Sequence, residues 1–184
     1  MRLAEPEILV YYRGMDLLPE IKNRTSARSF EDRGVEPAAL ERILEAGRIA
    51  PSAKNRQPWR FVVIQSPEKR SVFEQACFGQ EHVGKAPVII ACCSTNTEYR
   101  MPNGQLSYPI DISFAVSQMI LQATHEGLGT CVVTTFDEAA LQETITVPFS
   151  MRVVLLLLVG HSAETSVPFH DRQGLERIVS YEHW

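Results

Sequence analysis

The sequence has no apolar run long enough to cross a bilayer. Its longest, residues 153–159, falls far short of the roughly 20 residues a membrane helix needs and reads as a buried strand. No secretory leader is expected, because Arg2, Glu5 and Glu7 interrupt any apolar segment at the amino terminus. It also lacks a basic stripe: 18 Lys and Arg stand against 22 Asp and Glu, intermixed, with a net charge of −4, which disfavours nucleic acid or another polyanion as partner. The four cysteines show no C-x-x-C spacing and no paired histidines, so neither a zinc site nor a redox pair is expected. Cys77, Cys92, Cys93 and Cys131 sit in apolar surroundings and read as buried free thiols. Cys92 and Cys93 would point to opposite faces of a strand. There is no internal repeat, low-complexity tract or linker. Together these absences imply one soluble cytoplasmic domain covering residues 1–184, large enough to bury its own core.

What is present alternates between helical and strand-like signals. Asp16 followed by Leu17, Leu18 and Ile21 suggests a short helix if Pro19 falls in its first turn. Residues 37–50 read as a helix opened by Pro37, with Leu40, Ile43, Leu44 and Gly47 on one face. A strand should leave Trp59 and end at Gln65. A helix capped by Ser66 with Pro67 at its first position should then bury Val72, Phe73 and Ala76. Residues 87–94 are continuously apolar, as an internal strand is. Residues 95–109 form one long polar loop. Residues 110–126 are apolar nearly all round, with Asp111 the one acid before Glu126, so this helix is expected to be buried on most sides and ended by Gly127 or Gly129. Strand 130–135, a short helix capped by Asp137, strand 151–160 and a helical stretch at 175–179 complete the pattern. This order predicts an α/β or α+β domain around a small central sheet.

Two segments carry chemistry. Residues 51–61 run Pro-Ser-Ala-Lys-Asn-Arg-Gln-Pro-Trp-Arg-Phe, a loop between helix and strand in which Ser52, Asn55 and Gln57 offer hydroxyl and amide groups without a single acid. Such a set suits a flat, edge-polar ligand better than acid/base chemistry, and reads equally as a polar helix-to-strand connection. Residues 24–30, Arg-Thr-Ser-Ala-Arg-Ser-Phe, crowd two guanidinium groups and three hydroxyls together, which is anion-binding chemistry or a solvated charged turn. His82, His125, His161 and His183 are scattered singly and read as satisfied or exposed. No catalytic triad, carboxylate pair or metal cluster is visible, so no side chain is nominated as catalytic.

Taken in order, the Arg24–Phe30 cluster, the Pro51-Ser52-x-x-Asn55-x-Gln57-Pro58-Trp59-x-Phe61 loop, Gly127-Leu128-Gly129-Thr130-Cys131 and an arginine in the tail resemble the FMN-dependent nitroreductase family from about residue 17 to 172. The resemblance implies an α+β fold with a mostly antiparallel small sheet flanked by helices, and an interlocked homodimer with FMN at each subunit interface. By position, Arg24, Ser26 and Arg28 would hold the phosphate and ribityl end from one subunit. Pro51, Ser52, Ala53, Asn55 and Gln57 would approach the ring from the other. Thr134 and Thr135 would lie beside flavin N5, and Arg172 would return to the phosphate. Three positions depart from the family pattern: Ala53 where a second hydroxyl is frequent, Thr134-Thr135 where small residues are, and His170 where a second basic side chain often precedes the arginine. The implied activity is hydride transfer from NAD(P)H onto FMN and on to a small planar acceptor, with the cofactor carrying the chemistry. A reductive dehalogenase, a flavin-fragmenting enzyme or a flavin-binding module with little turnover are the alternatives.

Overall fold

The structure is a computed structural model that describes residues 16–164 and 172–184. Its centre is a four-stranded sheet built from β1 (Trp59–Ile64), β2 (Val88–Ser94), β3 (Gly129–Val133) and β4 (Arg152–Gly160), in the order β1-β2-β4-β3 with every neighbouring pair antiparallel. Helices cover both faces. On one side lie α2 (Pro37–Arg48) and the long α5 (Tyr108–His125). On the other lie α3 (Pro67–Ala76), α4 (Glu81–Lys85) and α6 (Glu138–Ile145). Short helices α1 (Pro19–Asn23) and α7 (Leu175–Ile178) stand near the ends. This is the α+β architecture expected.

Two cores follow from the period-2 alternation of strand side chains. Val88, Ile90, Cys92, Leu155 and Leu157 meet Leu40, Ile43, Ile112 and Met119 in one. Ile89, Ala91, Cys93, Leu156 and Leu158 meet Phe73, Val83 and Leu141 in the other. All seven residues of β2 are buried, which explains its unbroken apolar sequence in an antiparallel sheet. The four thiols are buried and unpaired, with Cys92 and Cys93 in different cores as their neighbouring positions require. Burial pushes the Cys77 and Cys93 thiols up to about 11.

Local signals set most helix ends. Pro19 and Pro37 occupy first-turn positions, the Ser66 hydroxyl accepts from the Lys69 N–H at 3.4 Å, and the Asp137 carboxylate accepts from the Ala140 N–H at 3.2 Å. Gly127, at φ 74°, closes α5, with the Leu128 N–H reaching back to the Ala123 carbonyl at 2.8 Å. Gly129 belongs to β3 instead.

Four expectations are corrected. Val72 is 41% exposed, because its side chain sits about 100° round the helix from the buried Phe73. Helix α5 is not buried on most sides: Ile110 and Phe114, one turn apart, face solvent. Strand β3 ends at Val133, leaving Thr134 and Thr135 outside it, and the Thr135 carbonyl accepts from Gln80 Nε2 at 3.2 Å. The long loop spans residues 95–107 and is pinched by an Arg100–Leu106 bridge.

Helices α2 and α5 approach closely at Gly47, where an added Cβ would lie 2.7 Å from Met119 Sδ. A two-pronged ion pair ties the middle of α2 to the end of α5: Arg42 Nε and Nη2 donate to the Glu126 carboxylate, each at 2.7 Å. The Arg42 guanidinium, with help from Gln122, holds the Glu126 carboxyl down at about 2. A depressed carboxyl stabilises the fold above its ordinary range and loses that contribution as pH falls through the folded value. Glu126→Gln should therefore melt below wild type at pH 7, with the gap closing between pH 4.5 and about 2 in a thermal-melting series.

Candidate functional site

The first cluster lies on the outer edge of β3. The Ala27 N–H donates to the Thr130 carbonyl at 2.9 Å, and Ser26 pairs with Thr130 in a parallel bridge, so residues 24–28 run beside the strand. Gly129 permits this approach: a Cβ there would stand 2.8 Å from the Ala27 Cβ. Ala27 is buried, while its neighbours Ser26 and Arg28 face outward. Arg24 Nη1 donates to the Ser26 hydroxyl at 3.5 Å. Among the described residues neither Arg24 nor Arg28 has a carboxylate partner, the condition under which guanidinium groups are available to an anion.

Arg28 stands beside Cys131 and His82. Burial, reinforced by the Arg28 charge, holds the His82 imidazole below its ordinary range and so neutral near pH 7. Gln80 Nε2 donates to the Cys77 carbonyl at 3.0 Å and to the Thr135 carbonyl at 3.2 Å, tying the start of α4 to the exposed Thr134-Thr135 turn. Arg24, Ser26, Arg28, Thr134 and Thr135 are thus gathered at one edge, joined by Gln80 and His82.

The second cluster lies at the opposite edge, where the chain enters β1. A 3-10 turn, Ala53–Asn55, bends the loop, and Lys54, Asn55 and Gln57 all adopt left-handed backbone at φ 53°, 51° and 50°. Such conformations cost non-glycine residues on the order of 1 kcal/mol or more each, so something must impose them. Three contacts do. The Ala53 N–H donates to Asp111 Oδ1 at 2.8 Å, the Gln57 N–H donates to the Ser52 hydroxyl at 2.9 Å, and the Arg56 guanidinium stacks 3.8 Å from the centre of the Tyr99 ring. Asp111 is buried in the first turns of α5, and its second oxygen, Oδ2, has no hydrogen-bond partner among the described residues. Pro51, Asn55 and Gln57 are exposed, and Ser52 and Ala53 half-buried.

Counting outward from β1 through β2, β4 and β3 to residues 24–28 gives four inter-strand steps of about 4.8 Å, hence roughly 19 Å between the two edges. Within one chain the two groups of residues do not form a single pocket. Arg172 is exposed in the tail ahead of α7. His170 lies outside the described residues. An open groove of about 750 Å³ between α2 and β1, walled by Leu44, Arg48, Trp59, Arg60 and Phe61, is separate from both polar clusters.

Sequence reasoning missed four contributors. Gln80, His82, Tyr99 and Asp111 reach their partners across long stretches of chain, 58 residues between Asp111 and Ala53 and 55 between Gln80 and Thr135, so no local spacing announces them. The one available signal was Asp111 itself, a lone acid in an otherwise apolar helix.

A single antiparallel sheet between two helical layers, with one basic and one amide-rich cluster at its opposite edges, defines an α+β class of ligand-binding fold. The Nitroreductase family model matches residues 21–81 and 74–161, and the chain belongs to that family. A nitroreductase family protein of Clostridium difficile superposes with a TM-score of 0.80 at 32% identity, over 92% of this chain and 100% of its own. An FMN-dependent nitroreductase of the same species superposes at 0.79 with 26% identity, over 90% and 98%. A Thermus thermophilus protein named NADH dehydrogenase is 28% identical over 85% of this chain and 91% of its own length.

Proposed function

We propose that this chain is an FMN-dependent oxidoreductase, working as a homodimer, that uses NAD(P)H to reduce a small planar electron-poor acceptor such as a nitroaromatic or quinone. One observation carries the reading. The residues assigned to the two clusters supply guanidinium, hydroxyl, amide and backbone N–H groups, with the buried Asp111 their one acid, and they stand on opposite edges of one sheet. A ligand with a phosphate at one end and a flat heterocycle at the other fits this donor set, provided a second chain brings its loop to the first chain's basic edge. The solved C. difficile relative named as FMN-dependent supports the same ligand.

When bound, FMN supplies the redox chemistry, taking hydride from NAD(P)H and passing electrons to the acceptor. The chain's part is placement. Arg24, Ser26 and Arg28 would hold the phosphate and ribityl end, with Arg172 as a further phosphate residue. Thr134 and Thr135, positioned by Gln80, would present backbone near N5, while Ser52, Ala53, Asn55 and Gln57 of the other subunit would orient the ring after Pro51. His82, kept neutral beside Arg28, adds no competing charge. The exposed Ile110 and Phe114 of α5 offer apolar surface to the second chain.

With one face of the ring covered by protein, donor and acceptor occupy the same place in turn, which gives ping-pong kinetics. The test is anaerobic. Purified, yellow protein should bleach on NAD(P)H and recover its colour when quinone is added after the nucleotide is removed. A colourless protein that cannot be reconstituted with FMN overturns the reading. Bound flavin that NAD(P)H never bleaches identifies a binding module instead.

A further inference from the structure

We propose that Lys54 and Arg56, gathered on the ring of Tyr99, form a receptor for the anionic group, carboxylate or phosphate, of the small molecule that docks against the loop. This rests on the flavin reading above and concerns which molecules that site prefers.

The geometry is specific. The Arg56 guanidinium lies 3.8 Å from the Tyr99 ring centre and the Lys54 ammonium 5.4 Å from the same centre. Two like charges are brought to one ring, an arrangement that repels itself until an anion joins it. Both side chains are exposed, and neither makes an ion pair among the described residues, although Glu98 neighbours Tyr99 in the chain.

The pair is also fixed in advance. Lys54 is set by its left-handed backbone, which the Asp111 and Ser52 bonds hold in place. Tyr99 is set from the other side. Its N–H donates to Asn96 Oδ1 at 3.1 Å, its carbonyl accepts from the Ser107 N–H at 3.1 Å, and the Arg100–Leu106 bridge closes the loop behind it. Cations positioned before the ligand arrives lose little freedom on binding it, so their attraction is expressed as selectivity. The two residues flank Asn55 on a loop whose polar groups would orient the ring. An anionic substituent on whatever stacks there falls within their reach.

Two molecules could bring the anion: the phosphates of the hydride donor or a carboxylate on the acceptor. Steady-state kinetics on wild type and the Lys54→Gln variant separate them, with Arg56 left in place because its stack on Tyr99 also holds the loop. The acceptor arm compares 4-nitrobenzoate with the neutral 4-nitrobenzamide; the donor arm measures KM for NADPH and NADH. For the anionic molecule, Lys54→Gln should raise KM about tenfold with kcat little changed, whereas Lys54→Arg should stay near wild type. Added salt should erode the wild-type preference, since the charges are exposed. A change confined to nitrobenzoate names the acceptor as the source, and one confined to the dinucleotides names the donor. Equal losses for nitrobenzoate, nitrobenzamide and both dinucleotides would mean a merely structural role, and no change in any would mean no anion site; either overturns the proposal. Wild-type protein that NAD(P)H never bleaches removes the flavin reading, whereas protein that bleaches normally while the variant matches wild type removes this inference alone.

Discussion

Replacing Asp111 with alanine is expected to lower kcat/KM for acceptor reduction by about two orders of magnitude, the scale on which roughly an ångström of misplacement acts. The reason is mechanical. Asp111 Oδ1 is the anchor for the Ala53 N–H, and that bond lies directly before three left-handed residues in a span of four. Removing it leaves the amide without its acceptor, a cost of about 1–3 kcal/mol, comparable to the strain the loop stores. The loop should relax toward ordinary backbone, moving Asn55 and Gln57 away from the ring. Because the phosphate edge is untouched, flavin should remain bound, with an altered absorption envelope. Asp111→Asn can still accept from Ala53 through its amide oxygen and should recover most of the activity. The check is kcat/KM alongside the visible spectrum of both variants; an alanine variant with wild-type rate would free Asp111 from any positioning role.

Arg28→Ala is the second large effect. Arg28 lies beside the outer edge of β3 with no carboxylate partner among the described residues, so the substitution leaves no buried charge behind and should not unfold the domain. A charge-assisted hydrogen bond contributes about 1.5–3 kcal/mol, so FMN affinity should fall roughly tenfold or more. Riboflavin, which has no phosphate, should bind nearly as before. Titration of the apoprotein with each flavin measures this, and equal losses for both would place Arg28 away from the phosphate. The same change should raise the His82 imidazole toward its ordinary range, since one of the two influences depressing it is the Arg28 charge.

How much of this could be read from the chain depends on distance along it. The helix at Pro37, the Ser66-Pro67 start and the Asp137 cap were legible because each signal sits within four residues of the structure it sets. The Ser52–Gln57 loop and the Arg24–Arg28 segment were legible as chemistry, from residue types alone. Their separation was not, because it follows from the strand order, and nothing in an antiparallel pattern states that β4 inserts between β2 and β3. Helix α5 failed in an instructive way: its apolar character implied burial, but Ile110 and Phe114 are apolar and exposed within the single chain. Composition cannot distinguish a face buried in the fold from one left for another chain. Thr134 and Thr135 favoured strand by propensity, but the Thr135 carbonyl is bonded to Gln80, 55 residues away, a partner that no local pattern announces.

The central claim is that one flavin site is assembled from two chains, and subunit complementation tests it most directly. Arg28→Ala and Asp111→Ala damage opposite halves of that site, so each homodimer carries two impaired sites. In a mixed dimer one site receives both defects and the other receives neither. Unfolding and refolding the two variants together at equal concentration should therefore restore about one quarter of wild-type activity, since half the dimers are mixed and each has one intact site of two. Activity no greater than the average of the two separate variants would contradict the account, placing both residues in a site that a single chain completes.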